Sequence, residues 1–186
     1  VPVLVGLGGL ADAAVQQDVS RALCHLSSNQ ENHMPVYQQS GLLRLVSLTE
    51  PMDASDMTCK RFAALGLRFL ASNPQVRVLV LRDSLLPPFL VLARSGVPDF
   101  VRTASSALAS FSLSEENKLK LVRQGALVQM LESALSRDLE VQRDSVFALA
   151  NLADSIEYHA DVVREGGLRV LVSEAGAARD ARVQRD

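Results

Sequence analysis

Apolar residues recur along this chain at helical spacing. In the stretch from Glu140 to Ala153, Val141, Ser145, Ala148, Leu149 and Leu152 stand at i, i+4, i+7, i+8 and i+11, which is one face of a helix. The small members of that face, Ser145 and Ala148, let a neighbouring helix approach closely. Just upstream, Ala126 to Leu135 carries Leu127, Val128, Met130, Leu131 and Leu135, and the turn Ser136-Arg137-Asp138 separates the two segments. A shorter helix is predicted over Asn117 to Gln124, with apolar Leu121 and Val122 and with Gly125 closing it as a C-cap. Ser114 to Asp154 therefore reads as three helices in 41 residues. Long alternation of Val, Thr and Tyr is absent, which argues against a sheet.

The same pattern returns along the chain. Val141-Gln142-Arg143-Asp144 recurs as Val183-Gln184-Arg185-Asp186, 42 residues later, and as Val15-Gln16-Gln17-Asp18, 126 residues earlier. Ala148-Leu149-Ala150-Asn151-Leu152-Ala153 aligns with segments beginning at Ala107, Gly66 and Ala22, in steps of 41, 41 and 44. A glycine before an apolar run gives a third marker: Gly166, Gly125, Ser84 and Gly41, in steps of 41, 41 and 43. Self-similarity at a fixed period in this range is the signature of a stacked repeat array. Each unit in such an array buries its apolar face on its neighbours, so the core is continuous.

Taken in order, residues 1–28 are the last two helices of one unit, 29–72, 73–113 and 114–154 are full units, and 155–186 is a partial unit. In the first unit, helices are predicted from Val1 to about Leu10 and from Asp12 to Ser28. Gly6, Gly8 and Gly9 shorten the first of these, because each costs roughly 1 kcal/mol against Ala. In the second unit the helices are Gln30 to Gln39, Leu42 to Thr49 and Asp56 to Ala71. The 50–55 linker absorbs the extra residues, and Ser55 is the expected N-cap. In the third unit Pro87-Pro88 sits in the first turn of the second helix, Ser95-Gly96-Val97-Pro98 is a turn, and Asp99 is the expected cap of the third helix.

These residues resemble the armadillo repeat. Its first helix is matched by Asn117, Leu121 and Gly125. Its second is matched by Val1-Pro2-Val3-Leu4-Val5 and by Leu85-Leu86-Pro87-Pro88-Phe89-Leu90-Val91-Leu92, and its third by Val141 to Ala153. The resemblance covers the whole chain. It implies an all-α, right-handed superhelical α-solenoid of three-helix repeats, whose third helices line a concave groove used for protein binding. The chain opens inside a second helix and stops inside a third, so a piece of a longer array is expected, with apolar ends prone to self-association.

Composition narrows the function. The chain has 186 residues, of which 48% are hydrophobic and 4% aromatic, with no Trp and a formal net charge of −2. That balance argues against a dedicated nucleic-acid binder, which carries a basic surplus. The longest apolar run is about nine residues, around Leu85 to Ala93, too short to span a membrane. Cys24 and Cys59 fall at different repeat positions, so a disulfide is not expected, and two thiols without a secretory signal fit a cytoplasmic or nuclear setting. His33 and His159 occupy equivalent first-helix positions in units stacked roughly 30 Å apart, too far to share a metal, and His25 lies on a third helix. No catalytic constellation and no cofactor motif appears, so a non-enzymatic protein-interaction scaffold is expected.

Candidate groove residues follow from the face opposite the buried one. Reading equivalent positions gives three rungs: His25, Phe69, Ser110 and Asn151; then Arg21, Leu65, Ser106 and Phe147; then Gln17, Arg61, Arg102, Arg143 and Arg185. Arginines repeated at one position suit an extended acidic segment, because a guanidinium pairs a carboxylate through two hydrogen bonds. They also serve as solvated helix surface, and Asp18, Asp144 and Asp186 beside the rung offset its field. The resemblance leaves two other roles open. One is a structural array docking a cytoskeletal, ciliary or membrane-associated assembly by another surface. The other is a nuclear-import adapter of the importin-α type, which uses Trp at the Phe147 position where this chain has none.

Overall fold

The computed structural model describes residues 1–50, 56–170 and 172. Its helices are, in chain order, α1 (Pro2–Leu7), α2 (Ala13–Ser27), α3 (His33–Gln38), α4 (Gly41–Leu48), α5 (Met57–Ser72), α6 (Pro74–Arg82), α7 (Leu86–Ala93), α8 (Pro98–Phe111), α9 (Glu115–Arg123), α10 (Ala126–Ala134), α11 (Leu139–Ala153) and α12 (His159–Arg164). Residues 167–170 are helical again, and single 3-10 turns lead into α3 and α12. No strand occurs among the described residues.

The long helices α2, α5, α8 and α11 pack side by side in sequence order and form one continuous layer. Each places one leucine, Leu23, Leu67, Leu108 and Leu149, at the same register in the core, none more than 2% exposed. Burying such a side chain contributes about 1.5–3 kcal/mol, so this row holds the units together. The neighbouring register is small: Ala63, Ala104 and Ser145 are all buried. Gly66 lets α5 close on its neighbours, since a Cβ there would stand 3.0 Å from a Leu45 methyl and 3.4 Å from the Cys24 backbone. Phe89 and Phe111 meet edge to face at 5.2 Å and tie the second and third helices of their unit.

The turns give the register. Ser40, Ser84, Gly125 and Gly166 all adopt left-handed backbone between first and second helices, with φ of 63°, 60°, 81° and 89°. Their spacing is 44, 41 and 41, so the glycine that equals Gly125 is not Gly41 but its predecessor Ser40. All three steps now agree with the third-helix marker, and the additional residues fall in one linker. Gly41 has a separate reason to lack a side chain. A Cβ there would lie 2.5 Å from Val36 Cγ1 and 2.8 Å from the Val36 carbonyl oxygen, and Gly167 meets Val162 at the same two distances.

Several helix ends differ from expectation. α1 stops at Leu7, where Gly8 takes the C-cap position. Asp56 caps α5 by accepting from Cys59 N at 3.1 Å, whereas Ser55 lies outside the described residues. Asp99 does not cap α8. Val97 holds the N-cap position without a side-chain bond, and Pro98 opens the helix with no N–H to satisfy. Asp99 is thereby left to act elsewhere. His33 and His159 each donate from Nε2 to the carbonyl six residues earlier, Ser27 O and Ala153 O, at 2.7 Å. They are equivalent turn fasteners. Cys24 and Cys59 are free and buried.

Candidate binding groove

The layer of α2, α5, α8 and α11 presents the sequence-derived rungs on its accessible side. Arg21, His25, Arg61, Leu65, Arg143 and Phe147 are exposed, and Phe69, Arg102, Ser106, Ser110 and Asn151 are half-buried. Arg185 lies outside the described residues. Amphipathic spacing explains the arrangement: a third helix that buries Val141, Ala148, Leu149 and Leu152 turns Phe147 and Arg143 away from the core.

The arginines do not form a uniform ladder. Arg21 pairs with Asp18 on its own helix at 2.7 Å. Arg61 reaches the next unit and binds Asp99 through Nε at 2.9 Å. Arg102 reaches the unit after that, with Nε and Nη2 on Asp138 at 2.8 and 2.7 Å, and turns Nη1 to Asp99 at 3.3 Å. All three of its nitrogens are engaged. The Arg102 guanidinium, together with the Val141 N–H, holds the Asp138 carboxyl below the usual carboxylate range, and Asp138 raises Arg102 in return. Arg143 carries no ion pair among the described residues.

Two groups that the rungs did not include complete the cluster. Arg68 donates from Nη2 to Glu140 Oε1 at 2.5 Å, spanning α5 to α11. Glu140 also stands 3.9 Å from Arg102. Arg61, Leu65, Arg68, Asp99, Arg102, Thr103 and Glu140 line an open pocket of about 290 Å³ that crosses three units. A second pocket of about 220 Å³ adjoins it along Thr58, Arg61, Phe62 and Leu65. The signals for Arg68 and Glu140 were present in the sequence. Arg68 follows Arg61 by two helical turns, and Glu140 occupies the repeat position of Asp99.

At the α11 end, Phe147 is 49% exposed. Asn151 donates its amide to Ser112 Oγ of the preceding unit at 2.9 Å, and Arg77 binds the Ser110 carbonyl at 2.9 Å. The first bond crosses from one unit to the next, and the second ties the first helix of the 73–113 unit to its third. Asp144, half-buried one turn beyond Glu140, has its carboxyl pushed above its ordinary range by burial, a shift that Arg68 opposes and Glu140 reinforces. No group of His, Cys, Asp and Glu among the described residues could hold a metal ion. No helix among them is long and apolar enough to cross a membrane.

The fold superposes on known structures. Computationally designed armadillo repeat proteins for modular peptide recognition superpose with a TM-score of 0.83 at 23% identity, over 92% of this chain and 73% of theirs. A designed armadillo repeat protein in complex with the peptide (KR)4 gives 0.81 at 24%, over 92% and 72%. An engineered protein gives 0.79 at 27%, over 92% and 72%. In sequence, the chain is 28% identical to Vacuolar protein 8 of Schizosaccharomyces pombe over 134 residues, 69% of this chain.

This chain folds as an armadillo-repeat array.

It spans 24% of the length of that curated relative. No protein-family model matches it. The armadillo architecture here is a right-handed superhelical α-solenoid, a fold that serves as a protein-binding scaffold.

Proposed function

We propose that this armadillo array is a non-enzymatic scaffold holding an extended segment of a partner protein along α2, α5, α8 and α11, and that the segment carries acidic residues. One observation carries the reading: accessible side chains of three successive units converge on a single open pocket rather than ending in separate solvated patches. Leu65, which lines it, and Phe147 on α11 supply apolar contacts, with 39% and 49% of their surfaces exposed. Arg61, Arg68 and Arg143 supply donors for carboxylates. The designed protein that holds (KR)4 uses the same fold for a basic peptide. In this chain the arginines of the pocket favour the opposite charge, and Phe147 replaces the tryptophan of the nuclear-import adapters.

A second surface competes for the role. On the second helices, Leu43, Val91, Val128 and Leu135 are 51%, 48%, 43% and 56% exposed. Docking of a large assembly there is the alternative. The test installs a photo-crosslinking amino acid at Leu65, at Phe147 and, separately, at Val128 of the full-length protein in its own cell extract. The groove reading expects one shared adduct from the first two positions. An adduct from Val128 with none from Leu65 or Phe147 overturns it in favour of the second-helix surface.

A further inference from the structure

The pocket between α5, α8 and α11 has an uneven stock of hydrogen-bonding groups. Three of its four carboxylate oxygens are engaged. Asp99 gives Oδ2 to Arg61 at 2.9 Å and Oδ1 to Arg102 at 3.3 Å. Glu140 gives Oε1 to Arg68 at 2.5 Å and faces Arg102 with Oε2 at 3.9 Å. Its donors are not. Arg61 spends only Nε and Arg68 only Nη2. Nη1 and Nη2 of Arg61, and Nε and Nη1 of Arg68, make no hydrogen bond among the described residues. The existing ion pairs hold both guanidiniums at the pocket wall, so their open edges are pre-oriented toward an incoming acceptor.

We infer that this pocket is a subsite for one carboxylate side chain, an aspartate or glutamate of the bound segment, taken between Arg61 and Arg68. The inference rests on the groove reading above and adds to it the chemistry of one position. Charge selects the carboxylate over other acceptors. Arg61, Arg68 and Arg102 face the carboxylates of Asp99, Asp138 and Glu140, with Asp144 beside Arg68, so a monoanion is held by the open donors against the repulsion of those acids. A dianionic phosphate brings a second negative charge beside Asp99 and Glu140 and is disfavoured. A neutral amide accepts the same hydrogen bonds without charge assistance, which makes them about half as strong. Arg102, with every nitrogen engaged, positions Asp99 and Asp138 and does not touch the ligand.

The experiment selects peptides from a random library displayed on phage against the immobilised protein, then measures affinity by fluorescence anisotropy. The inference expects the selected peptides to share one acidic position. Changing that residue from Glu to Gln in the peptide lowers affinity roughly tenfold or more, and Arg61→Gln with Arg68→Gln in the protein does the same. The two changes together cost little more than either alone. The peptide-side change needs no altered protein, so it reports even if the double variant is unstable. Peptides whose binding is lost on Phe147→Ala but which carry no required acid overturn the subsite and leave the groove reading standing. Peptides insensitive to Phe147→Ala and to the arginine variants, or no peptide at all, overturn both. A phosphoserine that binds more tightly than glutamate at that position refutes the choice of a carboxylate.

Discussion

Replacing Phe147 with alanine separates a binding surface from a structural one on a single helix. Phe147 and Leu149 are two residues apart in α11, the first 49% exposed and the second 0%. An aromatic side chain presents roughly 150–250 Å² for burial, so about 100 Å² of Phe147 is left to solvent. Covering that area contributes about 2.5 kcal/mol at ~25 cal/mol per Å². Immobilising the ring costs about 0.5–1.5 kcal/mol of it. The net, about 1–2 kcal/mol, corresponds to a roughly 5- to 30-fold weaker complex for Phe147→Ala. Its effect on folding is small, because the truncated surface is the exposed half. Leu149→Ala empties a fully buried site and costs about 2–5 kcal/mol of stability. Peptides selected on the protein, titrated by anisotropy, give the first quantity, and urea denaturation of both variants gives the second. Unchanged affinity in Phe147→Ala refutes the assignment of Phe147 to the groove. Destabilisation of Phe147→Ala to the level of Leu149→Ala refutes the division of α11 into a core face and a groove face.

Three further outcomes are expected. Burial raises the Asp144 pKa, so its ionised form is penalised in the folded state, with the penalty complete above the folded pKa and absent below the ordinary carboxylate value of about 3.9. Asp144→Asn therefore stabilises the protein at neutral pH and loses that advantage as the pH falls toward that value; equal gains at both ends of the titration contradict the cause given. Gly41→Ala places a methyl against the Val36 backbone, which cannot rotate away as a side chain can, and destabilises the protein by about 1–3 kcal/mol in urea unfolding. A neutral result means that the α3–α4 turn is looser than the 2.8 Å approach implies. Binding of acid-bearing peptides weakens as sodium chloride is raised, because exposed charge pairs are screened beyond a Debye length of about 10 Å at 0.1 M; salt-independent affinity points to apolar contacts alone.

The fold was legible because its period is carried by residues that cannot easily vary. Leu23, Leu67, Leu108 and Leu149 must fill one register of a close-packed core, and the small residues beside them set the distance between helices. The glycine marker was less faithful. A left-handed turn accepts Ser40 and Ser84 as well as Gly125 and Gly166, while Gly41 is small for steric reasons one residue later. A pattern of letters merged two different demands on the backbone. The accessible face was legible for the same reason as the core, since helical spacing separates the two. What the spacing did not carry was pairing between units. Arg102 and Arg61 occupy equivalent positions, yet one has no nitrogen unengaged and the other has two, because Val97 stands where Asp138 caps the following third helix.

On the groove reading proposed above, that difference places specificity at α5 to α11. Each unit touches only its neighbours, so a pocket across units needs a cation in one and an acid in the next. The requirement is met from α5 onward, where Arg61 finds Asp99 and Arg102 finds Asp138 and Glu140. It fails between α2 and α5. There Gln17 stands at the arginine position and Thr58 at the acidic one, and Arg21 turns back to Asp18 on its own helix. A proposed segment lying along this layer thus meets a surface with no Arg-to-acid pair of this kind among the described residues at α2, and a donor-rich pocket at α5 to α11. Repeats that are equivalent as folding units are therefore expected to be unequal as binding units, and the proposed inequality lies in the residues that face their neighbours across the groove rather than in those that face the core.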